Sequence, residues 1–351
     1  MRVGIDATPL LGTRTGVGTY VAALLDAFLD LDVTPVLTAF TWRGVEALPD
    51  HWPHAQRRFS ARALQAVWSR VDWPPAEWLS GPVDVFHGTN FVLPPTRRAR
   101  GVVTIHDLTY DHSAHAVTPA SLRYQTLVPR ALARGAVVTT PSEAVAEEVR
   151  DRYGLAPDRV VPTRLGVAGD WYGTHPRPEG LPGEYVLFVG NREPRKNLPV
   201  LLEAMRRLPD APPLVLVGPP GWGPAVDTSG AITPGYLSGE ALRSAVAHAS
   251  VFAFPSRYEG FGLPPLEALA TGTPVVASDI PVLREVLGGH ASYAPVDDAD
   301  AFAAAIGAAL DAGDGGPAGR AARRAHAAQF TWARCARDTI SAYNRSLGCP
   351  P

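Results

Sequence analysis

The chain has 351 residues, 46% hydrophobic and 19% charged, which is apolar material for two cores of roughly 150 residues each. Its formal net charge of -2 excludes the basic surplus of a nucleic-acid binder, so any bound anion must be held by a local site. No apolar run reaches the roughly eighteen residues of a membrane-spanning helix, and Cys335 and Cys349 are too few for a disulfide framework, as in a reducing cytoplasm.

The opening Met1-Arg2-Val3-Gly4-Ile5-Asp6 reads as a strand, without the apolar core of a secretory signal. A glycine-containing loop at 13–18 leads into a helix with Tyr20, Val21, Leu24, Leu25 and Phe28 on one stripe. Strands are expected at 36–40, 83–86, 102–105 and 137–140. Thr118-Pro119 has the form of an N-cap followed by proline at the first helical position. Ser142 reads as a second N-cap, with Gly154 ending its helix. Further apolar runs at 185–189, 214–217, 251–254 and 275–277 alternate with helical stripes at 198–205, 242–246 and 302–310. This alternation predicts an α/β chain of two Rossmann-like, doubly wound parallel sheets. The Pro/Gly-rich segment 173–183 reads as the linker, giving domains 1–172 and 184–330. A last helix within 331–351 carries Trp332, Ala336, Ile340, Tyr343 and Leu347 on one face.

Ligands of such sheets bind beyond the carboxyl ends of the strands. Four strand-end loops there carry unusual residues. In the first, Gly16 and Gly18 precede a helix and allow a close backbone approach to an anion, or form a plain tight turn. In the second, His106 and Asp107 end a strand. His106 can donate a hydrogen bond to a sugar hydroxyl or a leaving oxygen, or it is a satisfied structural histidine. Asp107 orients it or caps the next turn.

The third loop holds Arg195 and Lys196 at the start of a helix. Cations there oppose the macrodipole by about 0.3–1 kcal/mol unless an anion is bound. Lys196 is the single lysine among 32 basic residues, all the others being arginine. A compact ammonium kept where arginine serves elsewhere reads as a phosphate clamp, against a solvated charge pair. The fourth loop runs from Glu259 through Gly260 and Gly262 to a helix opened by Pro264 or Pro265. The amides of Phe261, Gly262 and Leu263 would point at an anion, with Glu259 and Glu267 on either side for sugar hydroxyls. Asp30-Leu31-Asp32 and Asp298-Ala299-Asp300 imitate a metal-binding pattern. The first ends a helix and the second caps one, and no metal site is expected.

Taken together, Glu259-Gly-Phe-Gly-Leu-Pro-Pro-Leu-Glu267 resembles the paired-glutamate signature of the retaining glycosyltransferases of family 4. Gly190-Asn-Arg-Glu-Pro-Arg-Lys-Asn197, Ile105-His-Asp107, Gly16-Val-Gly18 and Ala270-Thr-Gly-Thr-Pro-Val-Val-Ala277 fall where that family has counterparts. The resemblance implies a GT-B fold, two domains facing across a cleft, with the final helix crossing back to the first. It implies that Lys196 and Arg195 bind the donor diphosphate, assisted by amides at Phe261, Gly262, Leu263, Gly16 and Gly18. Glu259 would hold donor-sugar hydroxyls, Glu267 the ribose, and His106 the transferred sugar. Many members have arginine where Asn191 stands, which leaves Arg192 and Arg195 as alternatives for the phosphate contact.

The implied reaction moves a hexose-type sugar from a GDP-, UDP- or dTDP-sugar to an acceptor hydroxyl, with retention, without metal and with no cofactor beyond the co-substrate. His106, Glu259 and Lys196 are the catalytic candidates. His87, Asn90, Asp107 and Tyr110 are the acceptor-side candidates for a glycan, lipid-linked saccharide or natural product. A cytoplasmic location follows, and peripheral contact with the inner membrane face stays compatible with it. A phosphorylase or epimerase of the same fold, and a non-catalytic nucleotide-sugar binding protein, remain alternatives.

Overall fold

The computed structural model of the chain describes residues 1–12, 15–41, 48–55, 59–112 and 121–349. Thr118-Pro119 and the loop residues Thr13 and Arg14 lie outside them. The chain divides into two compact units, Met1–Gly166 with Trp332–Pro351, and Val167–Thr331.

The first unit holds β1 (Arg2–Asp6), β2 (Thr34–Thr38), β3 (Val85–Gly88), β4 (Arg100–Thr104), β5 (Val137–Thr140) and β6 (Val160–Pro162). Their order is β2-β1-β3-β4-β5-β6, all parallel. The second holds β7 (Val186–Val189), β8 (Leu214–Val217), β9 (Ile232–Gly235), β10 (Val251–Phe254), β11 (Val275–Ser278) and β12 (Ser292–Ala294). Their order is β12-β11-β10-β7-β8-β9, again parallel. Every residue of β3, β5, β8, β10 and β11 is buried, as parallel strands with both faces covered require. The strand order reverses between β1 and β3 in the first sheet and between β7 and β10 in the second. Those are the two places where a crevice opens for a ligand.

Local signals position the elements. Ser142 Oγ accepts the Val145 amide at 3.3 Å, and Gly154 closes that helix at φ 62°. Asp298 accepts the Ala301 amide at 2.9 Å, so it is a cap. Strands β6, β9 and β12 escape sequence reading. They are edge or near-edge strands of three or four residues, and β9 has no fully buried position.

The unit boundary falls at Gly166/Val167, ahead of the segment 173–183 expected to be the linker. The Val167 amide donates to the Phe330 carbonyl at 3.0 Å, Trp171 is buried, and Arg243 pairs with Asp170 at 2.6 Å. The chain is therefore fastened to the second unit before the Pro/Gly-rich stretch begins. The Trp332–Leu347 helix packs on the first unit, against the Gly16–Phe28 helix. Its buried stripe is Cys335, Ala336, Thr339, Ala342 and Tyr343, turned slightly from the expected face.

Candidate functional site

In the second unit the loops after β7 and β10 meet at the switch point. After β7 the chain passes Gly190 into a 3-10 turn, Pro194–Lys196, and Asn197 at φ 54° leads into the Leu198–Arg206 helix. Arg195 and Lys196 thus precede the helix rather than opening it. Gly218 after β8 permits close packing of that turn, since a Cβ there would stand 2.2 Å from the Gly190 carbonyl oxygen. The Arg257 amide donates to the Arg195 carbonyl at 2.8 Å, which stitches the β10 loop to the β7 loop.

Lys196 Nζ donates to Glu259 Oε1 at 2.6 Å. Arg195 reaches Glu259 Oε2 and Glu193 Oε1, both at 2.9 Å, and the Tyr258 carbonyl at 3.2 Å. Lys196 and Glu259 are 7% and 6% exposed, so the alternative of a solvated charge pair is overturned. The Lys196 ammonium also lies 4.6 Å from the Phe254 ring centroid. Burial by itself would raise the Glu259 carboxyl. The Arg195 and Lys196 charges outweigh it and hold the group down at about 2. Two cations and two carboxylates therefore balance in a nearly dry pocket. Glu193 is the member that sequence reading passed over, because nothing in its spacing marks it.

Beyond Glu259, Gly262 sits at φ 92° and caps the Leu263–Thr271 helix. Only glycine fits, because a Cβ would meet Leu283 Cδ2 at 2.7 Å. Among the described residues the amides of Phe261, Gly262 and Leu263 have no acceptor. A buried helix N-terminus with free N–H groups is an anion site in waiting. Glu267 lies on that helix, half-buried. Burial, with Asp170 adding to it, pushes its carboxyl up to about 8. Of the expected pair, Glu259 is thus held in its ionised form by its cations while burial favours the neutral form of Glu267.

In the first unit Gly16 opens the Gly16–Phe28 helix, exposed, while Gly18 is buried against the core. His106 follows β4, edge-on to Tyr20 and Phe91 at 5.4 and 5.5 Å. Its Nε2 stands 2.9 Å from the Thr89 carbonyl. A carbonyl only accepts, so Nε2 carries the proton. Burial keeps the ring below its usual basicity, against the Thr89 bond and Asp107. The neutral ring then offers Nδ1 as an acceptor. This corrects the expectation of a free donor toward the sugar.

Two acceptor-side candidates are corrected outright. His87 is fully buried, with Nδ1 2.8 Å from the Tyr343 hydroxyl and Nε2 2.7 Å from Thr104 Oγ1. Burial first, and then His106, push it down to about 3. It knits the last helix to the sheet. Tyr110 is 1% exposed, with its hydroxyl 2.9 Å from that of Tyr153 and its ring packed edge-on to Phe91 and Tyr124. Asp107 Oδ1 accepts the Thr109 amide at 2.9 Å and caps the Thr109–His112 helix. Asn90 is half-buried, and its side chain has no partner among the described residues.

Residues 14–169 match the family model described as Glycosyltransferase Family 4, and residues 183–312 match Glycosyl transferases group 1. O-antigen chain mannosyltransferase B of Escherichia coli is 34% identical over 282 residues, 74% of either chain. The chain belongs to glycosyltransferase family 4. This family 4 glycosyltransferase is also 30% identical to the MMP alpha-(1->4)-mannosyltransferase of Mycolicibacterium hassiacum, over 59% of its own length and 54% of the relative's. Sucrose-phosphate synthase of Thermosynechococcus elongatus superposes with a TM-score of 0.73 at 20% identity, covering 99% of both chains. Anabaena HepE, solved with UDP-glucose, gives 0.69 at 15% identity over 97% of this chain and 98% of that one. The fold is GT-B, and the enzyme is a glycosyltransferase of carbohydrate biosynthesis. Among its described residues no helix is long and apolar enough to cross a membrane, and no group of three or more His, Cys, Asp or Glu side chains could hold a metal ion.

Proposed function

We propose that this glycosyltransferase moves mannose from a nucleoside-diphosphate donor, GDP-mannose foremost, to a saccharide hydroxyl with retention of configuration and without a metal ion. The observation that carries the reading is the meeting of Lys196, Arg195 and three unpartnered amides around Glu259, at the switch point of the second sheet. Charge develops on the diphosphate as it leaves. Fixed cations and N–H dipoles in a dry pocket stabilise that charge without reorganising. The mannosyltransferase relatives support the sugar.

On arrival the diphosphate competes with Glu259 for the two cations. Glu259 is then freed to accept hydroxyls of the sugar, Glu267 meets the ribose, and His106 Nδ1 accepts from the transferred sugar. Arg192, whose side chain has no partner among the described residues, is available for a second phosphate contact.

The test is a thermal-shift panel of GDP, UDP and dTDP with their sugars, followed by incubation of GDP-[14C]mannose with α-mannosides. Selective stabilisation by GDP-mannose and label in a longer mannoside, α-linked as in the donor, are expected. Stabilisation by UDP-sugars alone, a β-linked product, or activity abolished by EDTA would contradict the respective parts.

A further inference from the structure

Among the described residues seven large hydrophobic side chains are exposed, and four of them, Val67, Val71, Trp73 and Trp78, lie in one stretch of the first unit. That concentration makes a patch rather than scattered surface residues. The Ala61–Trp68 helix buries Leu64 and Trp68 yet turns Ala63, Ala66 and Val67 outward, so it is apolar on both faces. The Val71 amide donates to the Val67 carbonyl at 2.9 Å, which extends the outer face by one turn. Trp73 is 62% exposed, with its ring centroid 5.9 Å from that of Trp78, which in turn lies 4.9 Å from Phe59. The presentation is fixed from behind. Trp68 Nε1 donates to the Pro74 carbonyl at 3.0 Å, and Arg130 and Arg134 hold Asp72 at 2.8 and 3.0 Å.

The charge around this patch is one-sided. Arg62, Arg70, Arg97, Arg98 and Arg100 are exposed and have no carboxylate partner among the described residues. The neighbouring carboxylates are all engaged. Asp72 is taken by its two arginines, Asp84 Oδ2 accepts the Arg2 amide at 2.8 Å, and Glu77 Oε1 accepts the amides of Arg97, Arg98 and Ala99 at 2.9, 2.7 and 2.8 Å. Unpaired cations around an indole-bearing apolar face, in a chain of net charge -2, complement an anionic lipid surface. Indoles sit at headgroup level, and arginines reach the lipid phosphates. A second copy across a two-fold axis would set arginine against arginine. A glycan would need acceptors for its hydroxyl protons, and the carboxylates here are occupied. Asp84, Ala99 and Arg134 stand just ahead of β3, β4 and β5, so the patch borders the amino ends of the strands. Docking there leaves the carboxyl ends open.

We propose that this face of the first unit docks on an anionic membrane surface, with Trp73 and Trp78 in the headgroup layer and Arg97 and Arg98 on lipid phosphates. The proposal goes beyond the transfer reading and depends on neither its donor nor its sugar.

The experiment sediments the full chain with vesicles of phosphatidylcholine alone and of phosphatidylcholine mixed with phosphatidylglycerol, and follows tryptophan emission in parallel. The unchanged protein should partition onto the mixed vesicles, with a blue-shifted emission, and release at high salt. Trp73→Ser should weaken that partition about tenfold or more, the worth of withdrawing a large apolar side chain from water. Should Trp73→Ser fail to fold, R97Q/R98Q carries the test, with a loss of about fivefold per arginine on the mixed vesicles. Transfer to a soluble methyl α-mannotrioside should be unchanged in both variants. Absence of sedimentation with the mixed vesicles, or partition unaltered in the variants, overturns the proposal. Equal binding to both kinds of vesicle overturns the part of the arginines. A dimer in sedimentation velocity that Trp73→Ser dissociates, or retardation in a mannan gel that Trp73→Ser abolishes, overturns the membrane in favour of a second copy or a saccharide.

Discussion

Lys196 Nζ stands 2.6 Å from Glu259 Oε1 while Arg195 holds the other oxygen of the same carboxylate at 2.9 Å. Glu259 therefore occupies both cations of the proposed diphosphate site. On the proposed reading, Glu259→Gln should tighten GDP while slowing sugar transfer, because it removes the competing anion and the carboxylate proposed to accept sugar hydroxyls. Calorimetric titration of GDP and GDP-mannose checks this. The variant should favour GDP, and the gain in affinity due to the mannosyl group should shrink.

Lys196→Ala should act in the opposite sense. A hydrogen bond to a charged group is worth about 1.5–3 kcal/mol, so GDP affinity should fall roughly ten- to hundredfold. Breaking a buried pair costs stability as well. With Arg195 still on Glu259, the loss should stay near the lower end of about 3–5 kcal/mol. Urea unfolding of the ligand-free variant measures it. Lys196→Arg should restore binding only in part, because a planar fork cannot reproduce the compact ammonium that donates to Glu259 Oε1 at 2.6 Å.

Glu267 sets a pH dependence with a definite sign. Its carboxyl is raised from 4.5 to about 8 by burial. Between those values the folded chain holds a proton that the unfolded chain has released. Stability therefore falls as pH rises through this window, by up to about 1.4 kcal/mol per pH unit. Glu267→Gln should flatten that slope. Urea unfolding at pH 5.5 and pH 8 compares the two proteins, and an identical decline in both would remove Glu267 as its source.

The buried network under the last helix should matter for stability and not for chemistry. Tyr343→Phe strips the partner from His87 Nδ1. An unsatisfied buried group costs about 1–3 kcal/mol. The melting temperature should drop, while the acceptor KM at 20 °C stays unchanged. A shift in that KM would return His87 to the acceptor side.

The strands on both sides of each switch point were legible, because their Val- and Phe-rich runs are buried on both faces. So were the Ser142 and Asp298 caps, whose side chains act within three residues. The cationic turn was legible through the lone lysine, and the Gly262 loop through its glycines and prolines. His87 and Tyr110 misled because burial in a parallel sheet is decided by tertiary packing, and a polar residue near a strand end looks alike inside and out. Asp6 went unread for the opposite reason. It follows Val3-Gly4-Ile5 as an ordinary strand end, and its burial under the Thr89 hydroxyl, which donates to its carbonyl, shows only in the folded sheet.

His106→Ala should separate chemistry from binding. GDP affinity should be retained and kcat should fall if the ring's free nitrogen meets the transferred sugar as proposed. Equal losses in both would make His106 a structural residue held between Tyr20 and Phe91.

The most direct measurement is a crystal structure with GDP bound. The expected density places diphosphate oxygens within hydrogen-bond distance of Lys196 Nζ and of the Phe261, Gly262 and Leu263 amides, with Glu259 drawn off at least one cation. Diphosphate bound away from the β7 and β10 loops, with the Lys196–Glu259 contact intact, would contradict the assignment.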